Sequence, residues 1–93
     1  MRISETEHQA ITQAILHCDP AADVYLFGSR VDDAALGGDI DIIVLSRRIN
    51  LSAKLDILTE LRESLGDQKI DLLVFPDLSR PFARIAIAEG VRL

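Results

Sequence analysis

Over residues 4 to 18 apolar positions recur every three or four residues, with Ala10, Ile11, Ala14, Ile15 and Cys18 on one stripe, and this spacing predicts a first helix. Ser4 followed by Glu7 is a capping-box pattern at its start, and Asp19-Pro20 ends it. The period then shortens. Asp23-Val24-Tyr25-Leu26-Phe27 is a β-prone run stopped by Gly28, and Ser29 is placed to cap a short helix that fades before Gly37-Gly38. From Asp39 the chain reads Asp-Ile-Asp-Ile-Ile-Val-Leu, a run rich in β-branched residues that predicts a buried strand with two acids at its entrance. Residues 51 to 65 return to helical spacing through Leu51, Leu55, Leu58, Leu61 and Leu65, and Gly66 stands where they end. Ile70-Asp71-Leu72-Leu73-Val74-Phe75 predicts a further strand stopped by Pro76. A last helix follows from about Ser79 to Glu89, with Phe82, Ile85 and Ala86 on one face. The order αβαβαβα, free of linkers and repeats, predicts an α/β fold of the α+β type: a small mixed sheet packed by helices.

Composition narrows the possibilities. A chain of 93 residues is expected to form one domain, 1–93, and 48% hydrophobic residues are too many for an intrinsically disordered chain. The single cysteine, Cys18, cannot form an internal disulfide, and its place on the helical stripe predicts a small buried hydrophobe. A cytoplasmic protein is expected, because no apolar run approaches the roughly 18 residues of a membrane span and the N-terminus has no leader pattern. The net charge of -5 disfavours attraction to a nucleic acid backbone, so direct DNA binding is not expected. Ten of the fifteen acids are Asp, and four of them, Asp32, Asp33, Asp39 and Asp41, crowd into the stretch between Arg30 and Arg47.

Asp39 and Asp41 are two apart on a predicted strand, so they project from one face. Asp71 occupies a similar early position on the next strand. A connection of about 25 residues through a helix suits a parallel crossover, which lays the starts of both strands side by side. If the Gly28 strand runs antiparallel to them, its end meets their beginnings, and Gly28, Ser29, Asp39, Asp41 and Asp71 gather at one sheet edge. Two unit charges 4 Å apart repel by about 4 kcal/mol at an effective dielectric of 20, so such a cluster calls for a cation. Carboxylate oxygens alone select magnesium or manganese over zinc. Gly28 lets a backbone approach a phosphate closely, Ser29 offers a hydroxyl and an amide at a helix start, and Arg30 adds positive charge. These parts suit metal-assisted attack of a hydroxyl on a nucleoside triphosphate, with two metals bridging the attacking and leaving oxygens.

The stretch from Tyr25 to Val44, with Lys69 to Phe75 behind it, resembles the minimal nucleotidyltransferases (MNT) of the DNA polymerase beta superfamily over nearly the whole chain. That family's signature is Gly-Ser, a variable insert, Asp-x-Asp and a third Asp on a later strand, matched here by Gly28-Ser29, Asp39-x-Asp41 and Asp71. Many members have Ser before the first Asp where this chain has Gly38, a change that leaves all three carboxylates in place. The resemblance implies a nucleotidyltransferase fold and transfer of AMP from ATP with release of pyrophosphate. Asp39 and Asp41 would bind two magnesium ions, and Asp71 would bind one and help deprotonate the acceptor hydroxyl. Gly28, Ser29 and, less centrally, Arg30 would hold the triphosphate. It also implies a partner, a HEPN-domain toxin that the protein would neutralise as an antitoxin by adenylylating a tyrosine.

Two alternatives stand beside that reading: a non-catalytic antitoxin that neutralises its partner by binding, and a small-molecule nucleotidyltransferase of the aminoglycoside type. Only one short helix follows Phe75, so a partner protein or a second copy of the chain is expected to complete the site. His8 and His17 do not share a helix face and are not expected to bind metal. Tyr25 is expected to pack; Asp32, Asp33, Arg47, Arg48, Arg80 and Arg84 are expected to face solvent or a partner.

Overall fold

The computed structural model describes residues 3–28, 40–66 and 68–93. Helix α1 spans Glu5–Cys18, strand β1 Asp23–Phe27, β2 Ile40–Leu45, α2 Leu51–Leu65, β3 Ile70–Phe75, α3 Pro81–Glu89 and β4 Val91–Arg92. The short helix expected after Ser29 lies outside the described residues. The four strands form one mixed sheet in the order β3-β2-β1-β4. β1 runs antiparallel to β2, and β2 parallel to β3 through the α2 crossover.

The predicted capping box closes α1: the Ser4 hydroxyl accepts from the Glu7 amide at 3.0 Å, and the Ser4 amide donates to the Glu7 carboxylate at 2.7 Å. The Asn50 side chain caps α2, accepting from the Ala53 amide at 2.9 Å. The short strand β4 was not visible in the pattern, since two residues are too few to show a period. It forms because Gly90 lets the chain turn against β1, where any Cβ would sit 2.7 Å from the Leu26 carbonyl oxygen. The Leu93 amide then donates to the Val24 carbonyl at 2.9 Å.

Alternation along the strands assigns the two sheet faces. Val24, Leu26, Ile40, Ile42, Val44 and Leu72 pack with Ile11, Ala14 and Ile15 of α1 and with Ile57 and Leu61 of α2 in the main core. The opposite face carries Phe27, Asp41, Ile43, Asp71, Leu73 and Phe75, and is covered in part by α3 through the buried Ala83 and Ala86. The central strand β2 is buried on both faces around Ile43, which accounts for its continuous apolar run.

The expected burial of Cys18 is corrected, and the apolar positions of α2 and α3 are buried unevenly. Cys18 is exposed although it continues the stripe of Ile11, Ala14 and Ile15, because it is the last residue of α1 and stands at the end of the buried face. Leu51 and Leu55 are exposed too, since the part of α2 that seats on the sheet is the later turn carrying Ile57 and Leu61. On α3 the large residues Phe82 and Ile85 stay about half exposed, while the small Ala83 and Ala86 are buried and allow the helix close to the strands.

Candidate functional site

β1 ends where β2 and β3 begin, and the site is built at this edge. Phe27 stands opposite Asp41 across the antiparallel pair, and Asp41 stands opposite Asp71 across the parallel pair. Neighbouring strands lie about 4.8 Å apart, so two carboxylates on the same face occupy adjacent positions. The Ile40 amide donates to the Lys69 carbonyl at 3.1 Å, which locks the two entrances together. Like charges directly opposite each other weaken a sheet, so nothing in strand pairing itself favours this arrangement.

Gly28 ends β1 with φ +80°, a left-handed conformation that L side chains rarely adopt. A Cβ there would lie 2.5 Å from Oδ2 of Asp41. The glycine therefore makes the turn and leaves the space in which the Asp41 carboxylate rests against the backbone. That is a second reason for a glycine here, beside the close approach of a phosphate.

The burial of the two acids differs. Asp41 is half-buried, but Asp71 is exposed, although both stand among apolar residues in the sequence. Position in the sheet explains the difference, since β2 is central whereas β3 is an edge strand with one side open. A pocket of about 370 Å³ wraps this open edge and takes in Asp41, Asp71, Phe27, Leu73, Lys54 and Leu58. The larger cavity of about 540 Å³ lies at the far end of the sheet, around Ser46, Arg47 and Pro76, away from the two acids.

Of the residues singled out in the sequence, Gly28, Asp41 and Asp71 come together at this edge. Ser29, Arg30, Asp32, Asp33 and Asp39 lie outside the described residues. Among the described residues no group of three His, Cys, Asp or Glu side chains is placed to hold a metal, so Asp41 and Asp71 stand as a pair. Arg84 is tied to its own loop, donating to the carbonyls of Leu78 at 2.7 Å and Ser79 at 3.3 Å. Arg47 pairs with Asp77 at 3.0 Å at the opposite end. Sequence reasoning missed Phe27 and Lys54 as neighbours of the acids. Phe27 could have been found, since it immediately precedes Gly28 and alternation puts it on the acid-bearing face. Lys54 reaches the pocket only through the packing of α2.

A search of curated proteins gives no match. A crystal structure of a protein assigned as a nucleotidyltransferase superposes with a TM-score of 0.65 at 21% identity, covering 92% of this chain and 96% of that one, and shows that the two share a fold. The model of the family described as "Polymerase beta, Nucleotidyltransferase" matches residues 9–93, taking in the described strands and the whole edge where Gly28, Asp41 and Asp71 meet. On that match the chain belongs to the polymerase beta nucleotidyltransferase family, a domain type built for nucleotidyl transfer.

Proposed function

We propose that the chain is a minimal nucleotidyltransferase that moves AMP from ATP onto a protein hydroxyl, a tyrosine of a HEPN-domain toxin, and so acts as that toxin's antitoxin. The observation that supports it most directly is the register of Asp41 opposite Asp71, with the Asp41 carboxylate against the backbone of Gly28.

An all-oxygen pair of carboxylates in adjacent positions fits a hard divalent cation, magnesium or manganese, and Asp39 would complete the set. When bound, such ions neutralise charge on the triphosphate and on the attacking and leaving oxygens. The chain's own residues do the remaining work. Gly28 keeps the turn free of side-chain bulk where the phosphate tail would approach, and Ser29 and Arg30 would add a hydroxyl and a positive charge. In the reaction a bond forms between the acceptor oxygen and the α-phosphorus. The bond from that phosphorus to the bridging oxygen breaks, and pyrophosphate leaves. A carboxylate oxygen of Asp71, on the open side of the sheet, takes the acceptor's proton.

The acidic net charge suits a basic partner surface. Incubation with ATP, magnesium and the HEPN protein tests the proposal by mass spectrometry. An AMP-sized gain on a partner tyrosine, absent with Asp41→Asn, is the expected result. An unmodified partner held in a stable complex would replace catalysis with neutralisation by binding, and label on an aminoglycoside but not on protein would replace the acceptor class.

A further inference from the structure

Phe82 is the exposed large residue of α3 nearest the acid-bearing face. It is 49% exposed, yet it is held by two other rings: Phe27 at 6.1 Å between centroids and 81° between planes, and Phe75 at 6.2 Å and 51°. Both are edge-type or tilted contacts of the kind aromatic rings prefer, and about half of Phe82 remains exposed to solvent beside them.

Strand register gives the ring a position relative to the acids. Phe27 is level with Asp41, and Phe75 is level with Leu45. A ring touching both spans β2 between those levels, around Ile43. That is two residues along the strand from Asp41, or about 6.6 Å, on the same face of the sheet. Leu73, beside Ile43 on β3, continues the apolar surface toward Asp71. A nucleotide presents its groups in the matching order, with charged phosphates first, then a ribose, then a flat base. An aromatic face one sugar's length from paired carboxylates is where that base would lie.

We infer that Phe82, braced by Phe27 and Phe75, is a stacking platform for the base of the nucleotide whose phosphates meet Asp41 and Asp71. The inference rests on the nucleotidyl-transfer reading of that edge and deepens it, because it assigns base binding to this chain. It also gives a use to the half of Phe82 that packing on Phe27 and Phe75 leaves in solvent. Stacking recognises any base, with purines favoured by their larger faces.

The test is calorimetric titration of the full chain with magnesium-ATP and, separately, with magnesium-tripolyphosphate, which has the phosphates but no base. No acceptor is present, so binding is read without turnover. The wild type should bind ATP more tightly than tripolyphosphate. Phe82→Leu keeps apolar bulk but removes the aromatic face, and should weaken ATP roughly tenfold while leaving tripolyphosphate within about twofold. Phe82→Tyr should restore ATP binding. A thermal melt of each variant checks that the fold survives. Unchanged ATP affinity in Phe82→Leu overturns the platform while leaving the transfer reading standing, and an equal loss for both ligands shows that the ring only supports the fold. A wild type that binds neither ligand removes the transfer reading and the platform together.

Discussion

Both ends of the sheet hold aspartates, and two pairs of them are treated in opposite ways. At the far end, where Asp23 is paired with Arg92, Asp19 and Asp77 are each bound into a loop. Asp19 is 3% exposed and accepts from the Ser46 hydroxyl at 2.6 Å and the Ala21 amide at 3.0 Å. Ser46 in turn accepts from the amides of Arg48 and Ile49, both at 3.1 Å. Asp77 accepts from the Ser79 amide at 2.9 Å and from Arg47. At the near end, Asp41 and Asp71 face each other in register, one half-buried and one exposed. The first pair satisfies loop amides that would otherwise lose their partners. The second sets two like charges opposite each other on neighbouring strands, an arrangement strand pairing does not favour and one expected at a site kept for chemistry rather than for folding.

Several substitutions test this contrast. Asp41→Asn should have the largest effect, lowering AMP transfer by at least about a hundredfold while the chain stays folded, read by label transfer together with circular dichroism. Gly28→Ala should come next. It forces a side chain into a left-handed turn and against the Asp41 carboxylate, so a loss of about 1–3 kcal/mol in denaturant titration is expected, with transfer reduced as the carboxylate shifts. At the far end Asp19→Ala should leave magnesium-ATP binding unchanged but lower the melting temperature by roughly 5–10 °C, because the Ser46 hydroxyl and the Ala21 amide lose their acceptor.

The far-end acids also set a pH dependence. The Ser46 hydroxyl, and then the Ala21 amide and the charge of Arg48, hold Asp19 below its usual 3.8 against the opposing pull of burial. Hydrogen bonds from Ser79, with the Arg47 charge, do the same for Asp77. Because both folded values lie below the unfolded one, their contribution is fully present above about pH 4 and is lost as pH falls through the folded values. Melting temperature should therefore drop on acidification below that point, and less steeply in Asp19→Ala. The smallest effect is expected at Asp71→Asn, which removes a like charge opposite Asp41. Without divalent cation it should raise stability by less than about 1 kcal/mol, whereas a decrease would show that the near-end pair is structural after all.

Much of the fold was legible in the chain. Ser4 and Glu7 announced the start of α1, the β-branched run marked β2, and Gly66 and Pro76 fell at the ends of their elements. The near-end pair was legible too, because period-two alternation and a crossover of helical length suffice to bring the starts of two parallel strands together. The link from Asp19 to Ser46 was not, since 27 residues separate them and each alone reads as an ordinary turn residue. The half-exposed place of Phe82 over the sheet was equally hidden. Helical spacing groups Phe82, Ile85 and Ala86, but it does not say which side of that group meets the sheet.

The sequence by itself thus determined the strand and helix order and the edge where Gly28, Asp41 and Asp71 would gather, because alternation, capping and turn chemistry act over a few residues. Only the tertiary structure decided that Asp71 stands in the open, that the Asp41 carboxylate occupies the space beside Gly28, and that three phenylalanines from β1, β3 and α3 meet above β2. These depend on which strand lies at the sheet's edge and how closely a helix of small residues can approach it, and both are settled by packing among segments far apart in the chain.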